Sequence, residues 1–225
     1  MDAVYFVRPG RNEELRYSIR SIKNIHPNKV WIYGSCPEWC KPDGYIHVDQ
    51  VGNTKWDRVK NMYRGVCENP EISDDFILMN DDFFILKPTE IEPYYRCSLY
   101  QHIVENELAF GFRVTGYARE LLGCLAVLKT LGCSTNSYEL HIPIVFNKKK
   151  LLELLKKYPE VHATRSLYYN IYGMGGKRMD DVKVNTPGPF KRPETFLSSS
   201  DESFDGLVGD YIKKQFQSKG KYEID

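Results

Sequence analysis

Short apolar runs alternate with segments of helical period through the first 88 residues, and that alternation leaves few folds open. Ala3-Val4-Tyr5-Phe6-Val7 has the length and apolar continuity of a buried strand, and Arg8-Pro9-Gly10 breaks it. Asn12 stands where an N-cap is expected, and Glu13 and Glu14 suit the positive end of a helix. Leu15, Ile19, Ile22 and Ile25 then recur at helical spacing until His26-Pro27-Asn28. Residues 29–33 form the next strand, and Gly34 opens a loop. A strand-helix-strand opening predicts parallel pairing through a right-handed crossover. Further along, 45–48 predict a short strand, 54–67 a helix and 75–79 another apolar strand. Asn80-Asp81-Asp82 follows at once, before residues 83–86 resume an extended apolar run that Lys87-Pro88 stops. The fold class expected is α/β, a Rossmann-like mixed sheet flanked by helices.

The second half is less regular. Helices are expected over 117–131, over 147–158 with Leu151, Leu152, Leu154, Leu155 and Tyr158 on the apolar side, and near 205–216. Residues 173–200 are rich in Gly, Pro, Ser and Lys and read as loops. Gly173-Met174-Gly175-Gly176-Lys177 lacks the spacing of a nucleotide-triphosphate loop. The length, 225 residues, suits one domain.

Charge disfavours one class, a generic nucleic-acid binder. With 31 basic and 30 acidic residues the net charge is +1, so no overall field gathers nucleic acid. Of the six cysteines only Cys36 and Cys40 lie close together, and no second pair completes a zinc site. No run approaches the length of a membrane-crossing helix and no leader is legible, so the chain reads as cytoplasmic with mostly free thiols. The sixteen tyrosines suit either a ring-binding cleft or packing at core edges.

Chemistry concentrates at Asn80-Asp81-Asp82. Adjacent carboxylates at the end of an apolar strand repel each other and lose solvation unless a divalent metal, with diphosphate oxygens in its shell, compensates them. Open α/β sheets bind ligands at the carboxyl ends of their strands. The competing reading is a turn, for which Asn-Asp-Asp is ordinary chemistry. His141 is either catalytic or structural, and Arg165 is either a phosphate clamp or a solvated arginine. Asp201 ends the run Ser198-Ser199-Ser200-Asp201, which by itself reads as a helix cap.

The order of these pieces resembles the Stealth family, sugar-1-phosphate transferases of bacterial capsule synthesis related to the catalytic part of the lysosomal-enzyme GlcNAc-1-phosphotransferase. Glu13 to Ile22 resembles the family's first region and Phe76 to Phe84 its second. His141-Ile142-Pro143 through Tyr158-Pro159-Glu160 to Thr164-Arg165-Ser166 resembles the third, and Phe196 to Asp201 with Lys221-Tyr222-Glu223 the fourth. Where the family's first strand usually leads into an Asp- or Asn-Gly-Ser-Asp loop, this chain has Arg8-Pro9-Gly10-Arg11. The resemblance implies a GT-A-like catalytic domain spanning 1–225, with 1–88 as the nucleotide-sugar-binding half and 89–225 as the acceptor and catalytic half. It implies that Asp81 and Asp82 hold Mg2+ or Mn2+ with the donor diphosphate, that His141, Arg165 and Asp82 are catalytic, and that Arg8, Arg16, Asn80 and Asp201 bind substrate. The partners expected are a nucleotide-sugar donor and a hydroxyl acceptor: glycan, lipid carrier, protein or modified nucleic acid. The expected reaction is sugar-1-phosphate transfer in polysaccharide biosynthesis. Its alternatives are glycosyl transfer with release of nucleoside diphosphate, and a non-catalytic sugar-binding or assembly protein.

Overall fold

The structure is a computed structural model, and it describes residues 1–10, 12–48 and 54–224. Arg11, the last residue of the loop singled out above, lies outside the described residues. In chain order the elements begin with β1 (Asp2–Val7), α1 (Glu13–Ser21), a 3-10 turn (Ile22–Asn24), β2 (Val30–Gly34), β3 (Gly44–His47), α2 (Lys55–Glu68), β4 (Asp75–Asn80) and β5 (Phe83–Ile85). They continue with β6 (Tyr94–Tyr95), α3 (Leu99–Ala109), α4 (Gly116–Thr130), β7 (Ile144–Asn147), α5 (Lys148–Lys157) and α6 (Thr164–Ile171). The last are β8 (Lys177–Arg178), β9 (Lys183–Val184), β10 (Phe196–Ser199), α7 (Asp201–Phe204) and α8 (Leu207–Gln215).

The chain forms two compact units. The first contains Met1–Ile91, His141–Lys150 and Val182–Asp225. Its main sheet has the order β3-β2-β1-β4-β7. The strands β3, β2, β1 and β4 pair in parallel, and β7 joins β4 antiparallel at the edge, so the α/β mixed sheet expected from the sequence is present. Every residue of β1 and of β2 is buried. That is the signature of a strand covered on both faces, and it explains why the sequence shows continuous apolar runs rather than alternation. A smaller sheet, β5-β10-β9, belongs to the same unit. Phe84, Leu197, Phe204, Val208 and Ile212 form a second apolar cluster beneath it.

The second unit contains Glu92–Leu140 and Leu151–Asp181. It holds α3, α4, α6 and the two-stranded β6-β8 ladder. Asn170 ties it internally, donating to the carbonyls of Asn136 and Ser166, each at 2.7 Å.

Three local expectations changed. Asn12 occupies the N-cap position in a left-handed conformation, φ 42°, and makes no cap bond, because its amide donates back to the Arg8 carbonyl and closes the loop after β1. The helix that follows ends at Ser21 and tightens into the 3-10 turn, rather than running to Ile25. Residues 173–200, read as loops, contain β8, β9 and the buried β10.

A C-terminal clasp holds α1 in place. The Glu223 carboxylate accepts from Arg16 Nη1 at 2.6 Å, Arg20 Nε at 2.7 Å and the Gly220 N–H at 2.7 Å. Burial pushes the Glu223 carboxyl up, but these bonds outweigh it and bring the pKa down to about 2. Its stabilisation is therefore complete above the ordinary carboxylate value of 4.5 and is lost as pH falls toward 2. Glu223→Gln is expected to lower unfolding free energy at pH 7 by about 2 kcal/mol, because charge-assisted bonds are replaced by neutral ones. Denaturant melts should show the difference narrowing below about pH 4.5, the usual onset of carboxylate protonation. An undiminished difference at pH 3 would refute this account.

Candidate functional site

Strand order decides where the site forms. The sequence passes β1, β2 and β3 to one side, then places β4 on the other side of β1. The carboxyl ends of β1 and β4 therefore flank a topological switch point, where the chains leaving two neighbouring strands diverge and leave a crevice. Phe6 pairs with Asn80 at the end of that ladder. Beyond it, Arg8 follows β1 and Asp81-Asp82 follow β4. Gly34 permits the close approach on the other side of β1. Its φ is 114°, and a Cβ there would meet the Val7 carbonyl oxygen at 2.1 Å.

A cavity of about 570 Å³ occupies the crevice. Its lining includes Arg8, Glu14, Asn80, Asp81, Asp82, Lys183, Ser199 and Asp201. A neighbouring cavity of about 340 Å³ shares Arg8, Glu14 and Asp201 with it. No tyrosine is among the residues lining either one. The large buried tyrosines, Tyr5 and Tyr33 among them, pack in the core.

Asp81 and Asp82 sit in the turn between β4 and β5, as the turn reading expected, and both line the cavity. The strands around that turn pair with different sheets, β4 with β1 and β5 with β10. The two carboxylates differ in environment. Asp82 Oδ2 accepts from Lys183 Nζ at 2.7 Å and from Ser198 Oγ at 3.2 Å. Among the described residues no such cation is bonded to Asp81, and its pKa is pushed up to about 7, first by burial and then by Asp82, with Arg8 opposing. Burial likewise raises the Glu14 carboxyl above its ordinary value, aided by Asp201. Arg8 is engaged by Asp201 in an ion pair at the cavity rim.

Ser199 adds a second unmet demand. It is 1% exposed, lines the cavity, and its Oγ has no hydrogen-bond partner among the described residues. A buried hydroxyl without a partner costs about 1–3 kcal/mol, which a ligand atom would recover. Among the described residues no group of three or more His, Cys, Asp or Glu side chains is gathered to hold a metal. The residues present still fit Mg2+ or Mn2+ of the kind that uses one or two carboxylates and takes its remaining oxygens from phosphates and water. Asp81 would offer the open oxygens for it, and Asp82 would be the second donor.

The structure thus gathers Arg8, Asn80, Asp81, Asp82 and Asp201 from the residues singled out in the sequence. Arg16 is placed elsewhere: it pairs with Glu223, and its guanidinium lies 4.2 Å from the Trp39 ring centre. His141 packs edge-on against Phe83, with ring centres 6.5 Å apart, and is not in the lining. Arg165 belongs to the second unit, where it is buried at the start of α6 and its Nη1 donates to the Leu140 carbonyl at 2.6 Å. The polar run does cap a helix: Ser200 is the N-cap of α7, and Asp201 occupies its first turn. Sequence reasoning missed Lys183 and Ser199 as cavity-lining residues, because no local pattern marks a lysine of β9 or a serine of β10.

No protein-family model matches the chain, and no curated protein matches it. Among solved structures, it is similar to the galactosyltransferase LgtC in complex with donor and acceptor sugar analogs. That similarity covers 98% of this chain and 97% of LgtC, at 12% identity and a TM-score of 0.48. It is also similar to the apo form of the glycosyltransferase GlyE of Streptococcus pneumoniae TIGR4, over 81% of this chain and 46% of GlyE, at 11% identity and a TM-score of 0.36. Likenesses this distant carry no inference about activity.

The raised Asp81 pKa fixes a sign. Folding disfavours the ionised form, so the cost is absent below the ordinary value of 3.8 and complete above about 7. Asp81→Asn should therefore melt a few degrees higher than the parent at pH 8, each kcal/mol being worth about 2–4 °C in a chain of this size. The gain should fade as pH falls toward 4. Thermal melts across this range test it, and a gain independent of pH would refute it.

Proposed function

We propose that this protein is a nucleotide-sugar transferase whose donor diphosphate occupies the cavity at the ends of β1 and β4. One observation carries the reading: an open, polar cavity at a sheet switch point holds an incompletely compensated carboxyl, Asp81, and a hydroxyl with no partner among the described residues, Ser199. A metal-bound diphosphate answers both demands, supplying positive charge to the carboxyl and oxygens to the hydroxyl. Mg2+ or Mn2+ held by Asp81 and Asp82 would neutralise charge on the departing phosphate. Arg8 and Lys183 line the same cavity and contribute fixed positive charge there. Asn80, at the end of β4, is positioned to donate its amide to a ligand oxygen. The arrangement belongs with a GT-A-like domain, and the acceptor in this reading is a hydroxyl compound.

The order of the sequence blocks favours cleavage on the far side of the phosphate, with sugar-1-phosphate passing to the acceptor and nucleoside monophosphate leaving. That chemistry asks for a base beside the acceptor hydroxyl and cations around phosphorus. His141 is the proposed base, and Arg8 and Lys183 of the cavity are the proposed cations. Transfer of the sugar alone, with nucleoside diphosphate leaving, is the second reading. It is favoured by the place of His141 outside the cavity lining, since glycosyl transfer makes no demand on that residue.

Calorimetry with a nucleotide-sugar panel, with and without Mg2+ or Mn2+, tests the site. Asp82→Ala is expected to weaken metal-dependent donor binding at least about tenfold, the equivalent of one lost charge-assisted contact. Ser199→Ala should leave stability unchanged or slightly improved, because it removes a partnerless group, yet weaken donor binding several-fold. Donor binding that ignores both substitutions would sink the proposal. Product analysis then separates the readings by the nucleotide released. A folded His141→Ala variant retaining near-parental kcat would remove His141 from the chemistry.

A further inference from the structure

The second unit carries an apolar tip with no role in the cavity. Leu108, Phe110, Phe112 and Val114 are 53%, 59%, 79% and 50% exposed, and every residue from Leu108 to Val114 is exposed. They form the end of the hairpin between α3 and α4. Large apolar side chains scattered singly on a surface need no explanation, but four of them in seven residues at one loop tip do.

Hydrogen bonds tie the backbone of the tip at both ends. The Phe112 N–H donates to the Glu107 carbonyl at 2.7 Å, and the Gly111 N–H to the Leu108 carbonyl at 3.2 Å. This is a Schellman closure of α3 with Gly111 in the left-handed region, φ 65°. In that motif the residue in the position of Phe112 usually folds back onto an apolar side chain of the last helical turn. Here the receiving position is Glu107, so the ring has no apolar seat and points to solvent. Phe112 also adopts φ 61°, an unfavourable conformation for a residue with a Cβ. On the far side, Thr115 caps α4 by accepting from the Ala118 N–H at 3.0 Å and donates to Asn106 at 2.6 Å. Both ends of the loop are tied, and its apolar side chains are preorganised outward.

Charge points to what meets them. The tip itself, Leu108 to Val114, carries Arg113 and no acidic residue, and Arg119 follows on α4. Of the flanking glutamates, Glu105 pairs with Arg96 and Glu120 with His162, and Glu107 sits at the base of the tip. Both arginines are exposed. A convex apolar tip needs either a concave apolar pocket or a surface that yields around it. The two cavities described above are lined largely by charged and polar side chains, and would not receive it. We infer that the α3–α4 tip docks on an anionic lipid surface, with Phe110, Phe112 and Val114 entering the headgroup layer and Arg113 and Arg119 pairing with phosphates. Aromatic side chains with flanking arginines are the composition of peripheral membrane anchors, whose binding combines apolar burial with attraction to anionic lipid.

The test is co-sedimentation of the full chain with vesicles of phosphatidylcholine alone or of phosphatidylcholine mixed with phosphatidylglycerol. The parent protein should sediment with the mixed vesicles, more weakly with phosphatidylcholine alone, and less as salt rises. Phe110→Ser with Phe112→Ser should lower partitioning about tenfold, with an unchanged melting temperature because both rings are exposed. Arg113→Glu provides an independent arm and should weaken binding to the mixed vesicles only. Absence of sedimentation by the parent protein would overturn the inference, as would equal sedimentation of the double phenylalanine variant. Self-association by light scattering that is lost in that variant, without vesicle binding, would assign the tip to a protein partner instead.

Discussion

β1 is buried at every residue and paired in parallel on both sides, and most of the first unit follows from that constraint. A strand with no solvent face must have cover on both sides, and parallel neighbours can be reached only by crossover connections. Those connections bring the carboxyl ends of β1, β2 and β4 to one edge of the sheet. Because β2 and β4 lie on opposite sides of β1, the segments leaving the strands part there. Arg8 and Asp81 consequently face the same crevice although 73 residues separate them in sequence, as their mutual electrostatic influence shows.

The cavity is built around incomplete compensation. Lys183 and Ser198 satisfy Asp82, whereas Asp81 bears the penalty of burial beside a like charge, opposed by Arg8 and a backbone hydrogen bond that do not fully offset it. Arg8 in turn divides its attention with Asp201. Ser199 contributes a hydroxyl that the protein leaves without a partner. Uncompensated groups of this sort lower the stability of the ligand-free protein and are recovered by whatever fills the cavity. The Glu223 clasp behaves oppositely: its carboxylate is bonded from three sides, and its value lies in fixing α1 rather than in meeting a ligand.

The parts of the fold legible in the sequence are those where burial and period coincide. The strands β1, β2 and β4 are unbroken apolar runs, and α1, α2, α4, α5 and α8 show a buried stripe against a polar face. The elements that escaped lack that contrast. α6 is buried from Thr164 to Asn170, so it has no polar face to set a helical period. β10 ends in Ser198 and Ser199, which are fully buried yet polar, so Phe-Leu-Ser-Ser gave no strand signal within a loop-like composition. α3 buries only Leu99, His102 and Ile103, too few for a clear stripe.

The sequence by itself determined the alternating α/β order and the chemical oddity of two carboxylates directly after a buried strand, because short-range burial and like-charge repulsion are written in neighbouring residues. Only the tertiary structure decided which distant groups answer those carboxylates. Lys183 reaches Asp82 across 101 positions, and Ser199 enters the cavity because β10 pairs with β5 immediately after the acidic turn. The tertiary structure likewise sent Arg16 to Glu223 instead of the cavity and placed Arg165 against a carbonyl of the second unit. An arginine reads the same in sequence wherever it points, since its partner is set by the packing of elements far along the chain.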